Sequence, residues 1–279
     1  PDLAYRLGLG AGQGGATVPV EGDYDVREFF SEAIVPLVQG RRGARDLSLE
    51  LGYRLSDYSS TGGAPTYKTS ASWAPVDALR IRTGYNRATV SPSVLALFFP
   101  QRNGLGGSED LCAGTRPTAT PEQCERQGVP RSAYGNILEN PAGQYNTLEG
   151  GNPRLEQEIA NTITAGFVVT PQALAGFSAT FDYYRIKVDE TIGSLEADDI
   201  MKQCVATGNP TLCNLIQRDR FGTLWILPEG RTVTTNQNVG KLESEGLDVT
   251  ATWARGIGGG ALTATTAGTY LLRLAASDG

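Results

Sequence analysis

The segment Gly240-Lys-Leu-Glu-Ser-Glu-Gly-Leu-Asp-Val-Thr-Ala-Thr-Trp253 ends in a strict alternation of apolar and polar residues. Its apolar positions are Leu247, Val249, Ala251 and Trp253, and the residues between them are Asp or Thr. Successive side chains of a β-strand point to opposite faces, so a period of two predicts a strand with one apolar face and one polar face.

The same alternation recurs elsewhere in the chain. It is present in the ranges Leu47–Leu55, Ile163–Val169 and Phe177–Tyr183. Strands in soluble sandwiches are usually about 5–6 residues long, whereas these runs can be extended to about a dozen. Their length favours a barrel that crosses a membrane with its strands.

The connections between the predicted strands differ in length. Short connections fall at 38–45, 74–78, 170–176 and 254–260, and long or loop-like ones at 57–65, 91–156 and 193–239. Outer-membrane barrels have short periplasmic turns and longer extracellular loops. We therefore predict an all-β fold, an antiparallel meander of about eight long strands that forms an open, curved portion of a transmembrane β-barrel. Residues 91–156 and 193–239 are its long extracellular loops.

Facing directions follow from the alternation. We predict that Leu49, Phe167, Phe181 and Val249 face lipid. The opposite face, toward the lumen, is predicted to carry Glu50, Arg82, Asp182 and Asp248. Trp73 and Trp253 each precede a short connection, and we predict that both are membrane-interface aromatics on the periplasmic side. The alternative is that tryptophan simply suits strands.

Composition argues against several classes of function. The chain has 279 residues, a formal net charge of −6 and a pI of about 4.9, with its basic residues scattered among acids, which disfavours nucleic acid as a partner. It contains no histidine, the commonest general base and metal ligand, so we predict no enzyme activity, no catalytic residue, no cofactor and no metal site. No run approaches eighteen apolar residues, which argues against a transmembrane helix.

Four cysteines occur as two close pairs inside the long insertions. Local pairing predicts the disulfides Cys112–Cys124 and Cys204–Cys213, although four cysteines allow three connectivities and four free thiols are an alternative. Neither pair has the spacing of a zinc site. Disulfides persist in oxidising compartments, so the pairs indicate a location outside the cytoplasm. In the second insertion, the spacing of Leu195–Cys204 predicts a helix, and Asn209 followed by Pro210 predicts the start of a helical turn.

Four runs of the sequence carry a resemblance to a known family. They are Thr83-Gly-Tyr-Asn-Arg-Ala-Thr-Val-Ser-Pro-Ser-Val-Leu-Ala-Leu-Phe-Phe99, Gly151-Asn-Pro-Arg-Leu-Glu-Gln-Glu-Ile-Ala-Asn161, Phe181-Asp-Tyr-Tyr-Arg-Ile-Lys-Val-Asp189 and Asn238-Val-Gly-Lys-Leu-Glu-Ser-Glu-Gly-Leu-Asp248. In that order these runs resemble the barrel of TonB-dependent outer-membrane receptors, over about residues 20 to 274. The resemblance implies a 22-stranded barrel, occluded by a plug and opened by energy from the inner membrane. We expect residues 1–279 to be a partial barrel domain, without the plug domain and the C-terminal strands.

The resemblance also implies a function. Such receptors lie in the cell outer membrane and take up ferric siderophores, cobalamin or saccharides, and their partners are outer-membrane lipid, the imported nutrient and the TonB complex, which they contact through the plug. The alternative is a secreted or surface β-rich binding or adhesion protein without transport activity. Such a protein would be soluble without detergent. Continuous pairing of the first and last strands would likewise indicate a small, closed barrel.

Aromatic and arginine side chains in the long loops are candidates for ligand contact, because they suit stacking and anion capture. The five candidates are Tyr134, Tyr145, Arg220, Trp225 and Arg231. The alternative for each is that it packs the loops against each other.

Overall fold

A computed structural model describes residues 3–6 and 19–277 of the chain. The elements follow one another as α1 (Leu3–Arg6), β1 (Val26–Arg41), β2 (Ala44–Tyr58), β3 (Gly62–Val76), β4 (Leu79–Val90), α2 (Val94–Phe98), β5 (Arg102–Gly107), α3 (Pro121–Glu125), a 3₁₀ turn (Arg131–Ala133), β6 (Tyr145–Glu149), β7 (Glu158–Val169), β8 (Phe177–Gly193), α4 (Ala197–Thr207), α5 (Pro210–Cys213), β9 (Ile216–Gln217), β10 (Arg231–Val233), β11 (Gln237–Ile257) and β12 (Gly260–Ser277).

The chain divides into two compact units, each considered over its described residues. A sheet unit comprises Tyr24–Pro92, Glu156–Thr191 and Asn238–Gly279, and a loop unit comprises Pro1–Asp23, Ser93–Leu155 and Ile192–Gln237. The loop unit is therefore built mainly from the two long insertions that the sequence predicts at 91–156 and 193–239.

The sheet unit is one eight-stranded sheet with the order β1-β2-β3-β4-β7-β8-β11-β12. The ladders from β1 to β8, and the ladder between β11 and β12, are antiparallel, and the strands are 12 to 21 residues long. Each strand pairs with the next long strand along the chain. The predicted antiparallel meander of about eight long strands is confirmed.

The register separates apolar from polar side chains. Ile81 pairs with Phe167, which pairs with Phe181, while Arg82 and Asp182 both pair with Gly166. Directly paired residues share a face, so these apolar residues lie on one face and the charged ones on the other. The predicted alternation is confirmed, and the stacked rings of Phe167 and Phe181 have centroids 5.0 Å apart.

The register also explains a change of pattern in β8, where polar residues take over the odd positions after Tyr183. A bulge would shift the faces, but the β7–β8 pairing runs without a shift from Ile159↔Asp189 to Val169↔Ala179. Arg185 therefore lies on the same face as Phe181. The change of residue type marks a change in what surrounds this face, because the strand itself continues regularly.

The connections between neighbouring long strands include one that differs from expectation. Short turns join β1 to β2, β3 to β4, β7 to β8 and β11 to β12, as predicted. The prediction of a long or loop-like connection at 57–65 was wrong, because β2 continues to Tyr58 and β3 begins at Gly62. Gly62 has a φ of 74°, a left-handed conformation that glycine adopts without strain, so the chain reverses within three residues.

The sheet is open, because β1 and β12 are its two outer strands. The small closed barrel considered from the sequence requires a ladder between these two strands, and the strand order excludes it. Among the described residues, no helix has the length and apolar character needed to span a bilayer.

Candidate functional site

The loop unit is built around a second sheet, of four short strands in the order β5-β6-β10-β9. β6 pairs antiparallel with β5 and parallel with β10, so that Thr147 lies beside Thr232. β10 also pairs antiparallel with β9. Because β5 and β6 come from the first insertion and β9 and β10 from the second, the sheet joins the two insertions through backbone hydrogen bonds.

The first disulfide lies in the apolar core of the loop unit. Cys112 and Cys124 are bonded, and both are fully buried among residues that include Val129 and Ile137. α3, which carries Cys124, begins with a capping box in which the Thr120 side chain accepts from the backbone of Gln123 and the Gln123 side chain accepts from the backbone of Thr120. The cap fixes the start of this short helix.

The second disulfide, Cys204–Cys213, joins α4 to α5. The predicted helix is confirmed as α4 and the predicted turn as α5, with Asn209 as its N-cap, accepting from the backbone of Thr211. Both disulfide pairings that the sequence predicts are present. Closing loops of this length stabilises a fold by about 3 kcal/mol through the unfolded chain.

A buried ion pair joins the two insertions. Arg218 donates to both carboxylate oxygens of Asp110, at 2.7 and 2.9 Å, and the two side chains are 3% and 1% exposed. Arg218 also donates to the carbonyl oxygen of Gly222 and to Oε1 of Gln127, and Asp110 accepts from the backbone of Cys112. A charge pair removed from water is tolerated when its remaining hydrogen-bonding capacity is used, as it largely is here.

Asp219, the next residue, organises the following loop. Its carboxylate accepts from the backbone N–H groups of Phe221, Thr223 and Leu227 and from the Thr223 hydroxyl. Four bonds on one buried carboxylate connect Asp219 to positions 221, 223 and 227 in the segment from 219 to 227. This segment carries two of the predicted ligand-contact residues, Arg220 and Trp225.

The two tyrosines among the predicted ligand-contact residues are engaged inside the loop unit. Tyr134 is half-buried, packs against the core that contains Cys112, and donates to the carbonyl oxygen of Ala119 at 2.9 Å. Tyr145 is buried, and its hydroxyl accepts from the backbone of Asn140. Burial raises the pKa of Tyr145, because its charged form loses solvation. Both positions fit the packing alternative.

The remaining three candidates differ in exposure. Arg220 is exposed, with its guanidinium 4.9 Å from the centre of the exposed Phe221 ring. Arg231 is half-buried and donates to Asn103 at 3.0 Å. Trp225 is half-buried, and its indole N–H donates to the carbonyl oxygen of Leu138 at 3.1 Å.

Trp225 is hydrogen-bonded to Leu138, and Leu138 lines a concavity in the loop unit. The concavity has a volume of about 620 Å³ and is lined by Arg116, Asn136, Leu138 and Glu139, among others. Arg116 is exposed, and Leu138 is 63% exposed. The lining therefore combines an exposed apolar side chain, a guanidinium and the Glu139 carboxylate, and Trp225 is joined to it through the Leu138 carbonyl oxygen. Reasoning from the sequence missed Arg116, whose only signal was its position in a Gly/Pro/Thr-rich loop.

A second concavity, of about 600 Å³, has a different chemistry. It is lined by α2 and β6, by residues 194–197 and by Thr234 and Asn236. Glu149 and Glu196 are its charged lining residues, and Glu149 also lies 3.7 Å from Arg102. Two carboxylates without a lining cation disfavour an anionic ligand there. None of the five predicted ligand-contact residues lines it.

The polar face of the sheet unit carries a separate set of ion pairs. Arg82 forms a two-pronged pair with Asp182, Lys68 lies between Glu32 and Glu50 at 3.1 and 2.8 Å, and Thr269 donates to Asp248. Glu50, Arg82, Asp182 and Asp248, predicted to face the lumen, all take part in these contacts. This face is therefore polar and carries both acidic and basic side chains.

The two predicted interface aromatics lie near short turns. Trp73 pairs with Leu47 and Ile81, and its indole N–H donates to the carbonyl oxygen of Gly43 in the β1–β2 turn. Trp253 pairs with Ala264, four residues before β11 ends. Within the described part of the chain, no cluster of three or more potential metal ligands is found.

Comparison with known proteins identifies the barrel family. A family model described as TonB dependent receptor-like, beta-barrel matches residues 4–278. A search of curated proteins returned no match.

Solved structures give the same fold. The siderophore receptor PirA from Pseudomonas aeruginosa has 19% identity and a TM-score of 0.50, and the alignment covers 89% of this chain and 34% of that receptor. A mutant of the ferric enterobactin receptor PfeA from Pseudomonas aeruginosa, in complex with enterobactin, has 18% identity and a TM-score of 0.57, with 90% and 27% covered. PirA from Acinetobacter baumannii has 12% identity and a TM-score of 0.57, with 90% and 29% covered. The chain spans about a third or less of these receptors.

Proposed function

This chain belongs to the TonB-dependent receptor β-barrel family of the bacterial outer membrane, and we propose that it is part of a receptor for the active uptake of a ferric siderophore. PirA is a siderophore receptor and PfeA is a ferric enterobactin receptor, and their similarity to this chain supports this class of substrate over cobalamin or a saccharide. The intact barrel has 22 strands in this proposal, and residues 1–279 supply a part of it.

The orientation follows from the two faces of the large sheet. The apolar face, with Phe167, Phe181 and Val249, contacts lipid, and the polar face, with Arg82 and Asp182, faces the lumen. The short turns lie on the periplasmic side, where Trp73 and Trp253 occupy the interface. The two long insertions, with their disulfides, then connect strand ends on the extracellular side.

The observation that carries the proposal is the concavity at Leu138 in the loop unit. The exposed Leu138 and the Arg116 guanidinium line it, and the half-buried Trp225 is hydrogen-bonded to the Leu138 backbone. These groups suit a large, anionic iron chelate, because rings stack on aromatic faces and guanidinium groups pair with oxygen anions. Arg220 is a further exposed cation on the segment that carries Trp225 and is hydrogen-bonded to Asp219. The concavity with Glu149 and Glu196 is a poorer site for an anion.

Direct binding tests this site. The full-length receptor, purified in a neutral detergent, is titrated with ferric enterobactin while its intrinsic fluorescence is recorded, and cobalamin and maltohexaose serve as alternative ligands. We expect saturable quenching by the ferric siderophore. Trp225→Ala and Arg116→Gln should each weaken binding by about tenfold, the scale of one aromatic or charged contact.

Matched variants control for folding. Trp73→Phe removes one indole at a short turn, and Arg42→Gln removes one exposed cation there, so both should bind like the parent receptor. Tight binding of cobalamin or maltohexaose with none of the siderophore would refute the substrate class. Normal siderophore binding by both loop variants would refute the site and leave the receptor function standing.

A further inference from the structure

A group of charged residues lies on the apolar face of the large sheet. Ile163 pairs with Arg185 in the same register that pairs Phe167 with Phe181, and Asn161 pairs with Lys187. Paired residues share a face, so Arg185 and Lys187 belong to the face that carries the phenylalanines. They lie toward the end of β8 that leads into the long insertion.

The neighbouring strand contributes acids to the same face. Arg185 donates to Oε1 of Glu243 through Nε and Nη2, at 2.9 and 2.6 Å, and Tyr183 donates to Oε1 of Glu245 at 2.9 Å. These contacts place Glu243 and Glu245 of β11 beside β8 on this face. Lys241, two residues before Glu243, shares it because side chains alternate along a strand.

A bulge brings a further cation to the group. The β11–β12 register shifts between Glu245 and Gly246, so that Glu245 pairs with Arg273 and Gly246 with Leu271. Without this shift Arg273 would point to the opposite face, because a one-residue slip exchanges the faces. With it, Nε of Arg273 lies 3.1 Å from Oε2 of Glu243.

The basic side chains on this face outnumber the acidic ones. We call Arg185, Lys187, Lys241 and Arg273 the outer basic cluster. The acids on the same face of these strands are Asp189, Glu243 and Glu245, and the Arg87 guanidinium lies on that face two strands away, through the pairs Arg87↔Asn161↔Lys187. Glu243 alone is shared by Arg185, Arg273 and, at 3.9 Å, Lys187. Lys241 has no ion pair within the described residues.

The cluster encloses space for a ligand. A concavity of about 350 Å³ is lined by charged and uncharged residues of β8, β11 and β12. Its charged lining residues are the cations Lys187, Lys241 and Arg273 and the carboxylates Asp189 and Glu243. The side chains of Lys187 and Arg273 are 49% and 57% exposed. Three cations against two carboxylates give this lining a net positive charge, which favours an anionic ligand.

The position of the cluster selects the kind of anion. On β11 the apolar run from Trp253 ends at Leu247, and charged residues begin at Glu245 on the same face. On β8 the run ends at Tyr183, a residue type that suits the boundary between hydrocarbon and headgroups. A soluble cargo would pass on the opposite, polar face. The cluster therefore lies where phosphates of lipid headgroups meet the barrel wall.

We propose that the outer basic cluster binds the phosphate groups of an anionic lipid in the outer leaflet of the outer membrane. The inference rests on the membrane orientation given above, but not on the identity of the imported ligand. Glu243 holds Arg185 and Arg273 in place, and Lys187 and Lys241 supply the charge that remains for the lipid. The bulge in β12 is the structural feature that completes the site.

The test uses the full-length receptor in a neutral detergent, with phosphatidylglycerol as the anionic probe and phosphatidylcholine as the neutral one. Bound lipid is counted by native mass spectrometry over a titration. We expect saturable binding of phosphatidylglycerol that weakens with salt. The variant Lys187→Gln/Lys241→Gln/Arg273→Gln should weaken this binding on the order of 100-fold, because each cation near an anionic surface strengthens binding by roughly fivefold.

Controls make each outcome decisive. Arg41→Gln/Arg42→Gln/Arg45→Gln removes the same charge at the short-turn end and should bind the lipid like the parent. Lys241→Gln alone disturbs no ion pair among the described contacts. It should show a smaller loss of lipid binding, and it replaces the triple variant if that variant does not fold. Equal retention of phosphatidylglycerol by the cluster variants, equal binding of phosphatidylcholine, or full competition by inorganic phosphate would overturn the proposal. Siderophore binding should be unchanged in the cluster variants. If the parent receptor binds no siderophore, that result refutes the proposed substrate and leaves the lipid site standing.

Discussion

Adjacent residues of β11 lie on opposite faces of the large sheet. Val249 shares a face with Leu247 and Trp253, whereas Thr250 shares the other with Asp248. In the orientation that we propose, Val249→Arg places a charge against lipid in the intact receptor and should cost about 2–4 kcal/mol of stability near the bilayer midplane. Reversible unfolding of the receptor in lipid vesicles with guanidinium measures this cost.

Thr250→Arg is the matched control, because it adds the same side chain one position away, toward water. It should change the free energy of unfolding far less than Val249→Arg. Equal tolerance of arginine at both positions would contradict the assignment of the two faces.

The buried carboxylate of Asp110 supports a second prediction at this scale. Asp110→Asn leaves the Arg218 guanidinium, which is 3% exposed, without its charge partner and should destabilise the loop unit by about 3–5 kcal/mol. Amide hydrogen exchange in β9 and β10 reports this loss, because these strands flank Arg218. Glu122→Gln, which removes the charge of an exposed partner of Arg131, is the control and should leave exchange unchanged. Unchanged exchange in Asp110→Asn would show that the ion pair contributes nothing to the unit.

The face of the sheet on which a residue lies could be predicted from the sequence more reliably than the side chain it contacts. A period of two is a local property, so Leu49 and Glu50 could be assigned to opposite faces without knowledge of the register. The pair Asp110–Arg218 could not be predicted, because it joins residues 108 positions apart in two insertions without regular pattern. The same holds for Arg185 and Glu243, whose contact depends on which strands are neighbours.

Long strands could be predicted from the sequence, and short strands could not. The eight long strands carry several alternations each, and their order follows because consecutive long strands pair. The strands β5, β6, β9 and β10 have two to six residues, which is too few for a period to be recognised. The helix α4 was predictable because its spacing repeats over three turns and a disulfide cysteine lies on it.

The disulfide between α4 and α5 supports a prediction at the scale of elements. Cys204→Ser/Cys213→Ser should destabilise this helix pair by about 3 kcal/mol, because the unfolded loop regains its freedom. Hydrogen exchange in α4 should rise in this variant and rise less in Cys112→Ser/Cys124→Ser, because that disulfide reaches α4 only through contacts such as the bond from Gln123 to the Val205 carbonyl oxygen. Peptide mapping of the parent receptor without reduction should recover both local links. Free thiols, or a link between Cys112 and Cys204, would contradict the pairing.

For the whole molecule, the open sheet makes a prediction about its two outer strands. An unpaired strand edge cannot be satisfied in hydrocarbon, so in the intact 22-stranded barrel that we propose, β1 and β12 each pair with a further strand. Their amides should exchange as slowly as those of β3 when the full-length receptor is studied in vesicles. Rapid exchange in β1 would contradict this prediction. So would an efficient disulfide crosslink in Val35→Cys/Tyr270→Cys, because it would show that β1 and β12 pair with each other.

The uptake of iron tests the central claim most directly. A strain that lacks this receptor is complemented with the full-length gene, and ⁵⁵Fe accumulation from a panel of ferric siderophores is measured with the inner-membrane energy supply intact and collapsed by a protonophore. We predict accumulation of at least one ferric siderophore that requires both the receptor and the energy supply, and that falls in Trp225→Ala but not in Trp73→Phe. Accumulation that is independent of the receptor for every siderophore, or that continues without the energy supply, would contradict active siderophore uptake.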